Sequence, residues 1–246
     1  MNIGLLGYGR MGHAIEAIAQ QRGHTVVARI EDTGQAVSAK PDVWIDFSLP
    51  VAMAEYLPQI LEMKKPVVIG TTGWADELAN YTQQFEAAGV PGVFGSNFSV
   101  GVQLFFRSLA QTTALMDRFS AEYDVGLSEE HHNQKKDAPS GTALSAADIV
   151  LAHSQAKKTL LTELPQREIA PDELTIGVSR IGNIPGTHAA VWDSAVDSIE
   201  LKHTARSRDG FALGAVLAAE KVAELPAGLH DFNIVFDQLF NLSTDA

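Results

Sequence analysis

The stretch Asn2–Gly12, NIGLLGYGRMG, decides the fold of this 246-residue chain. Its first part, Asn2–Leu6, is a short apolar run of the kind that forms a buried parallel strand, and Gly7 ends it. Glycines at positions 7, 9 and 12 fit the pattern G-x-G-x-x-G, which in a βαβ unit forms the turn between a strand and a helix. The helix predicted next, Arg10–Arg22, has its apolar residues on one face and ends at Gly23. The chain is therefore predicted to open with a Rossmann-like unit.

Strands and helices continue to alternate over residues 1–98. Further short buried strands are predicted at His24–Ile30, Val43–Phe47, Val67–Ile69 and Val93–Gly95. Helices are predicted between them at Val51–Met63 and Ala75–Ala88. Because such alternation requires crossover connections, the predicted fold class is α/β with a doubly wound parallel sheet.

The second part of the chain follows a different pattern. Its predicted helices are Val100–Met116 and Gly141–Ala156, and its predicted strands are Glu122–Glu129, Leu174–Ile181, Thr187–Trp192 and Ser198–Ala205. Short turns link the last three strands, so we expect a second α+β domain with a mostly antiparallel or mixed sheet. An apolar helix, Phe211–Leu225, and the tail are expected to return to the first domain. The predicted domains are residues 1–98 with 210–246, and residues 99–209.

Composition excludes several classes of protein. The formal net charge is −12, from 30 acidic and 18 basic side chains, whereas a nucleic-acid-binding protein needs a basic face. The chain has no cysteine, which excludes thiolate metal sites, disulfides and thioester mechanisms such as that of the acylating semialdehyde dehydrogenases. No apolar run approaches the roughly 18–20 residues of a membrane span, and no signal peptide is evident. We therefore expect no nucleic-acid or membrane partner and a cytoplasmic location.

The glycine-rich turn predicts a dinucleotide cofactor. Its glycines let the main chain approach a pyrophosphate that the helix N-terminus stabilises. The predicted contacts are Gly7, Tyr8, Gly9, Arg10, Met11 and Gly12.

The end of the second strand, Ile30-Glu31-Asp32, bears on the choice of cofactor. An acid at this distance from the glycines can bind the ribose 2′-hydroxyl of NAD, and Glu31 is our choice, although the acids could equally form a solvated loop. Arg10 and Arg29 are near enough in sequence to receive a 2′-phosphate. NADH and NADPH therefore both stay open.

Two later strand ends point to the same ligand. Gly70-Thr71-Thr72 follows one predicted strand, and Gly95-Ser96-Asn97-Phe98 follows another. In an open parallel sheet the ligand lies beyond the carboxyl ends of the strands, so we expect both segments to contact the cofactor. Taken alone, each is also an ordinary turn.

The segment His131–Thr142, HHNQKKDAPSGT, concentrates chemistry in the second domain. Four basic or titratable side chains lie within six positions of an acidic chain, a local focus that attracts a small anion; they are His131, His132, Lys135 and Lys136. Each part also has an ordinary explanation: one histidine in the core and one outside, a solvated lysine loop, and a helix N-cap at Ser140. Their coincidence in one short loop favours a functional site.

The functional interpretation gives each group a task. Ser140, Gly141 and Thr142 offer N–H groups and hydroxyls to a carboxylate at a helix N-terminus, and His132 adds a donor. His131 and Lys135 are candidate acids for the carbanion or enamine formed when a hydride arrives. Neighbouring residues in Glu129-Glu130-His131-His132 converge poorly on one ion, so we expect no metal site.

These residues together resemble one family, dihydrodipicolinate reductase. The segment Glu130–Ala143 is similar to its signature, of which the part H-H-x-x-K-x-D-A-P-S-G-T-A begins at His131. Further similar segments span almost the whole chain in order: Gly7–Gly12, Asp46–Ser48, Gly70–Gly73, Asn97–Ser99, Arg180–Gly182, Gly186–His188 and His203–Arg208. The chain departs from the family in its shorter length and in Lys136, which replaces an often apolar residue.

The resemblance implies NAD(P)H-dependent reduction of the cyclic imine dicarboxylate made by dihydrodipicolinate synthase, yielding tetrahydrodipicolinate for lysine and diaminopimelate biosynthesis. It implies that His131 is the general acid/base, that Lys135 is the proton donor, and that His132, Gly141 and Thr142 hold the substrate. It also implies a homotetramer built through the sheets of the second domain, residues 99–209. Two alternatives stay open: another two-domain dehydrogenase of amino-acid metabolism, and a non-catalytic nicotinamide-binding sensor.

Overall fold

The structure, a computed structural model, describes residues 1–31, 33–35 and 37–242. Asp32, the second acid of the predicted ribose site, lies outside the described residues. The chain divides into a first unit, Met1–Val100 with the chain from Arg208 onward, and a second unit, Gly101–Ser207. No helix in the described part of the chain is both long enough and apolar enough to span a bilayer.

The elements are numbered along the chain. The strands are β1 (Asn2–Leu6), β2 (Thr25–Ile30), β3 (Val43–Asp46), β4 (Val67–Ile69), β5 (Pro91–Phe94), β6 (Asp124–His131), β7 (Thr159–Leu161), β8 (Glu173–Arg180), β9 (Thr187–Asp193), β10 (Ser198–Thr204) and β11 (Gly228–Asp231). The helices are α1 (Arg10–Gln21), α2 (Pro50–Glu62), α3 (Leu78–Ala88), α4 (Val100–Met116), α5 (Gly141–His153), α6 (Asp209–Lys221) and α7 (Phe232–Phe240).

The first unit contains a parallel sheet in the order β11-β5-β4-β3-β1-β2, which confirms the predicted doubly wound α/β class. The chain runs outward from β1 to β2 and then returns to place β3 on the other side of β1. The strand order therefore reverses between β1 and β3, which is the point where doubly wound sheets bind ligands. Gly7, the first residue after β1, lies at this switch point.

Local sequence accounts for the elements that bound this point. Four of the five residues of β1 are buried, as its apolar run predicts. Helix α1 ends where Gly23 adopts φ +80, a left-handed conformation that glycine takes without strain, and the His24 N–H donates to Ala19 O at 2.8 Å. Helices α6 and α7 pack into the same hydrophobic core as β1 and α1.

The second unit contains a mixed sheet in the order β10-β9-β6-β8-β7. Its β10–β9 and β9–β6 pairs are antiparallel, whereas the β6–β8 and β8–β7 pairs are parallel, so the sheet is mixed rather than mainly antiparallel. Helices α4 and α5 cover one face, on which they bury Leu127, Ala190 and Ile176.

Three elements lie where none was predicted: β7, β11 and α7. One predicted boundary also moves in a way that matters for the site. Strand β6 runs to His131 rather than ending at Glu129, so His131 belongs to the sheet and not to the loop.

Candidate functional site

The glycine-rich turn has the shape of a pyrophosphate cradle. Gly7 has φ +80, and a Cβ there would lie 2.3 Å from the carbonyl oxygen of Phe47. A Cβ at Gly12 would lie 2.5 Å from the Gly7 carbonyl oxygen, so glycine lets α1 pack closely on the turn. A Cβ at Gly9, the N-cap of α1, would meet no described atom within 4 Å. The main chain at Gly9 is thus open to a phosphate at the N-terminus of α1.

A charged network borders this turn. The buried Glu16 of α1 accepts hydrogen bonds from the Tyr8 hydroxyl and from Arg29, whose Nε lies 2.9 Å from Oε2. The Arg29 guanidinium also lies 5.4 Å from the centre of the Tyr8 ring. Its hydrogen bond from Arg29, more than that from Tyr8, lowers the pKa of Glu16 to about 2. The charge of Arg29, which was a candidate phosphate ligand, is therefore already paired.

The predicted ribose ligand remains exposed at the end of β2. Glu31 is solvent-exposed, and its N–H donates to the Gln35 side chain at 3.3 Å. Arg10, the first residue of α1, and Met11 are respectively exposed and half-buried beside the turn. The Glu31 carboxylate thus remains on the surface just after β2, the sequence position from which an acid can bind the ribose of NAD.

The two later strand ends meet at one cavity of about 200 Å³. Thr71 and Thr72 line it after β4, Gly95 and Ser96 line it after β5, and Asp231 joins them from the end of β11. The Trp74 indole N–H donates to the Thr71 carbonyl at 2.6 Å and fixes the first of these turns. The cavity lies at the carboxyl edge of the sheet, where a cofactor is expected.

Three of the predicted cofactor residues have structural tasks of their own. The Phe98 ring is buried 4.5 Å from the Phe232 ring, which leaves only its main chain for a ligand. The Asn97 side chain accepts from the Ser99 N–H at 2.9 Å. A Cβ at Gly70 would lie 2.1 Å from the Phe47 ring, so this glycine makes room for an aromatic side chain.

Strand β6 delivers the candidate acid of the second unit. Alternate residues of a strand share a face, so Glu129 and His131 both point to the side covered by helices, and both are buried. Oε2 of Glu129 lies 3.5 Å from Nδ1 of His131. His188 of β9, which pairs with Glu129 in the sheet, places its ring 5.1 Å from that of His131.

Burial governs the ionisation of this cluster. It lowers the pKa of His131, an effect that Glu129 opposes and that Lys135, Arg180 and His132 reinforce. Burial likewise lowers the pKa of His188 to about 4, so this imidazole is neutral near pH 7. Burial alone would raise the pKa of Glu129, but hydrogen bonds from Ser140 and Arg180 outweigh it and lower that pKa.

The loop after β6 is held at both ends. The Asn133 N–H donates to the Gly182 carbonyl at 3.2 Å, and the Lys135 N–H donates to the His132 carbonyl at 3.1 Å. The Lys135 ammonium is half-buried and lies 2.9 Å from the Asp137 carboxylate. Lys136 is exposed. The structure therefore brings His131, His132 and Lys135 to one end of β6.

The helix start that follows has both a structural and a ligand-binding side. Ser140 is buried: its hydroxyl caps α5 by accepting from the Ala143 N–H at 3.3 Å, and its own N–H donates to Glu129. Gly141 is exposed and Thr142 is half-buried at the first turn of α5. A substrate carboxylate would therefore meet Gly141 and Thr142 first, while the two groups of Ser140 already have partners.

Donor atoms of Glu129, His131 and His188 also lie within 4.8 Å of one another, a spacing that a metal ion can use. Residues 129 and 131 converge because they are alternate residues of a strand, so the poor convergence expected of adjacent residues does not apply to this pair. The Glu129 carboxylate of this cluster already accepts hydrogen bonds from Arg180 and Ser140.

Sequence reasoning gave no role to Glu129, Arg180, His188 or Asp231. The pair Glu129 and His131 carries a usable signal, because their i, i+2 spacing places both on one strand face. Arg180 and His188 come from other strands, and only the register of the sheet brings them to His131.

Comparison with known proteins gives a consistent answer. A family model described as dihydrodipicolinate reductase, N-terminus, matches residues 1–98, and one described as dihydrodipicolinate reductase, C-terminus, matches residues 101–236. A 4-hydroxy-tetrahydrodipicolinate reductase of Christiangramia forsetii is 41% identical over 98% of this chain and 99% of its own length. One from Staphylococcus aureus is 32% identical over 95% of this chain and 99% of its own length.

A solved structure shares the fold. Dipicolinate-bound dihydrodipicolinate reductase from Paenisporosarcina sp. TG-14 superimposes with a TM-score of 0.76 at 22% identity, covering 96% of this chain and 99% of its own. The matched domains and the identity over nearly the full length establish that this chain belongs to the dihydrodipicolinate reductase family.

Proposed function

We propose that this chain carries out its family's reaction with the cofactor on the first unit and the proton chemistry at the end of β6. As a member of the family it is a nicotinamide-dependent oxidoreductase that reduces the cyclic imine dicarboxylate 4-hydroxy-tetrahydrodipicolinate (dihydrodipicolinate) to tetrahydrodipicolinate, in lysine and diaminopimelate biosynthesis. The single observation that carries the assignment of roles is that His131 ends β6 and that the loop carrying Lys135 leads from it to the capped first turn of α5.

The substrate's carboxylates explain the helix start. The first turn of α5 carries the positive end of the helix dipole and the main-chain N–H groups that bind anions. We assign Gly141 and Thr142 to a substrate carboxylate, with His132 as a further donor and Ser140 as the cap that shapes the turn. The dipicolinate bound to the Paenisporosarcina relative is a cyclic dicarboxylate, which supports this class of ligand.

Proton delivery falls to the loop after β6. Reduced nicotinamide, when bound, supplies a hydride, and the reduced substrate then needs a proton. We assign Lys135 as the proton donor and His131 as the general acid/base. His131 is buried and Lys135 is half-buried, which limits the access of bulk water to both groups.

The nicotinamide cofactor is assigned to the turn Gly7–Gly12, Glu31, Gly70–Thr72 and Gly95–Phe98. The open cradle at Gly9 and the cavity beyond β4 and β5 fit a dinucleotide in extended form. We propose that NADH is preferred over NADPH, because Glu31 favours a free ribose hydroxyl and Arg29 is already paired with Glu16.

The second unit also offers a surface for self-association. The sheet face away from α4 and α5 carries small residues at its centre, among them Gly126, Ser128 and Gly177, which allow another sheet to approach closely. We propose the homotetramer of the family through this face, and a cytoplasmic location. Analytical ultracentrifugation should give four times the chain mass of 26.4 kDa, and Ser128→Arg should reduce it.

The decisive assay couples the purified protein to dihydrodipicolinate synthase and follows NADH and NADPH consumption side by side. We expect consumption that depends on the synthase, with NADH the better cofactor. Turnover with a different amino or keto acid instead would identify another amino-acid dehydrogenase. Cofactor binding without any turnover would identify a nicotinamide sensor.

A further inference from the structure

We infer that Glu129 is a positioning residue of this site: its buried carboxylate fixes the His131 imidazole and the first turn of α5 in one arrangement. The inference rests on the proposed function, which gives His131 and α5 their roles. It assigns a task to a carboxylate that does not itself touch the substrate.

The contact with His131 is set by the strand. Glu129 and His131 share one face of β6, and their side chains are 0% and 9% exposed. With Nδ1 facing Oε2 of Glu129 at 3.5 Å, the carboxylate favours a proton on Nδ1. The Gly186 main chain lies beside Nε2, close enough that a Cβ at this position would come within 3.0 Å of it. The carboxylate and the nearby Gly186 main chain therefore favour one orientation of the imidazole and a proton on Nδ1.

The same carboxylate holds the anion-binding turn. The Ser140 N–H donates to both carboxylate oxygens, at 3.2 and 3.1 Å, and Nη2 of Arg180 donates to Oε1 at 3.0 Å. Nη2 of Arg180 also donates to the Asp137 carbonyl at 2.6 Å, within the loop that carries Lys135. One buried charge therefore connects β6, β8, the loop and α5.

Among the charges around His131, that of Glu129 favours the protonated imidazole, so its removal should change the pKa of His131. Lys135 and Arg180 disfavour the imidazolium, as does His132, while His188 is neutral near pH 7. Lys135 is itself paired with Asp137. Glu129 opposes them, so losing its charge should lower the pKa of His131 further.

Glu129→Gln removes the charge and keeps the size and an oxygen acceptor. We expect the alkaline decline of kcat to move to lower pH by about one unit, the effect of losing one nearby opposite charge, with a roughly tenfold loss of kcat on the alkaline side. The KM for substrate should change less than kcat. Histidine NMR of the full-length protein should show the same shift in the His131 titration. Glu122→Gln, an exposed position before the other end of β6, is the matched control and should leave both unchanged.

Two results would overturn the inference. One is a Glu129→Gln protein that is less stable but whose His131 titration and pH profile of kcat are unchanged. If the Glu129→Gln variant does not fold, Glu129→Asp replaces it, because it moves the charge away from His131 by one methylene. The inference is then overturned if neither the His131 titration nor the pH profile of kcat changes. Absence of turnover in the unmodified chain would reject the proposed function instead, and the NMR titration would still decide the role of Glu129.

Discussion

Lys135, the proposed proton donor, allows proton transfer to be tested separately from cofactor binding. It lies in the second unit, whereas every residue assigned to the cofactor belongs to the first. Its neighbour Lys136 has the same side chain but is exposed, so the two lysines form a natural pair for comparison.

Lys135→Ala should lower kcat by about 10²–10⁴-fold, the usual effect of losing a general acid, because the reduced substrate must then take its proton from water. The Kd for NADH, measured by fluorescence, should stay near that of the unmodified protein. Lys136→Ala is the control and should retain activity. Unchanged turnover in Lys135→Ala would remove this lysine from the mechanism.

Glu31 tests cofactor choice at the scale of a single carboxylate. Glu31→Ala should weaken NADH more than NADPH, because only NADH presents the free 2′-hydroxyl that a carboxylate accepts from. Titration calorimetry with both cofactors would measure the ratio. Equal losses for the two would place the ribose contact elsewhere.

Some site residues can be identified from one short segment of sequence, whereas others reach the site only through strand pairing. Gly7, Gly9 and Gly12 can be predicted from sequence because a single turn requires glycine at all three positions. His131 and Lys135 are readable because they lie in a single loop. Arg180 and His188 are not, since their place beside His131 depends on strand register, which no local pattern in this chain specifies.

At the scale of elements, α6 shows how small residues let the chain pass close to itself. Five of its buried residues are alanine or glycine, and a Cβ at Gly214 would lie 1.7 Å from the Phe98 carbonyl oxygen. The helix therefore packs against the main chain after β5, the segment assigned to the cofactor. At Gly210, in the first turn, the nearest atom to such a Cβ would be Ser99 Oγ at 3.6 Å.

Gly214→Ala should lower the free energy of unfolding by about 1–3 kcal/mol, because the main chain of Phe98 cannot yield as a side chain does. Gly210→Ala places the same methyl group at ordinary van der Waals distance from the Ser99 side chain, within the same helix. It should be neutral or stabilising by up to about 1 kcal/mol. Urea unfolding measures the free energy of unfolding of both variants. Similar values would show that α6 can shift to accommodate the methyl group without loss of stability.

The elements that sequence did not predict are those that tertiary pairing creates. Strand β11, GLHD, has no apolar run and exists because Gly228–Asp231 pairs with β5. Helix α7 had a signal, since Phe232, Val235, Phe236 and Leu239 repeat at helical spacing and are buried. Its start at the Asp231 N-cap, beside the first-unit cavity, follows from the end of β11.

At the scale of the whole molecule, one buried group in each unit, His188 and Asp46, should make the stability of the two units respond in opposite directions between pH 7 and pH 5. In the second unit, the pKa of His188 is lowered by burial from 6.5 to about 4, so its contribution is complete above pH 6.5 and is lost as the pH falls towards 4. In the first unit, burial raises the pKa of Asp46 from 3.8 to about 6, so its contribution is complete below pH 3.8 and is lost as the pH rises through 6. Each group therefore changes the free energy of unfolding by about 3 kcal/mol across its full pH range.

Lowering the pH from 7 to 5 should therefore destabilise the second unit through His188 by about 2 kcal/mol and stabilise the first through Asp46 by about 1 kcal/mol. Hydrogen exchange, corrected for the intrinsic rate at each pH, would follow β6 and β9 separately from β3 and β4. His188→Gln should remove part of the acid sensitivity of the second unit, and Asp46→Asn should flatten the response of the first. If neither substitution alters the pH dependence of its own unit, these two buried groups do not set it.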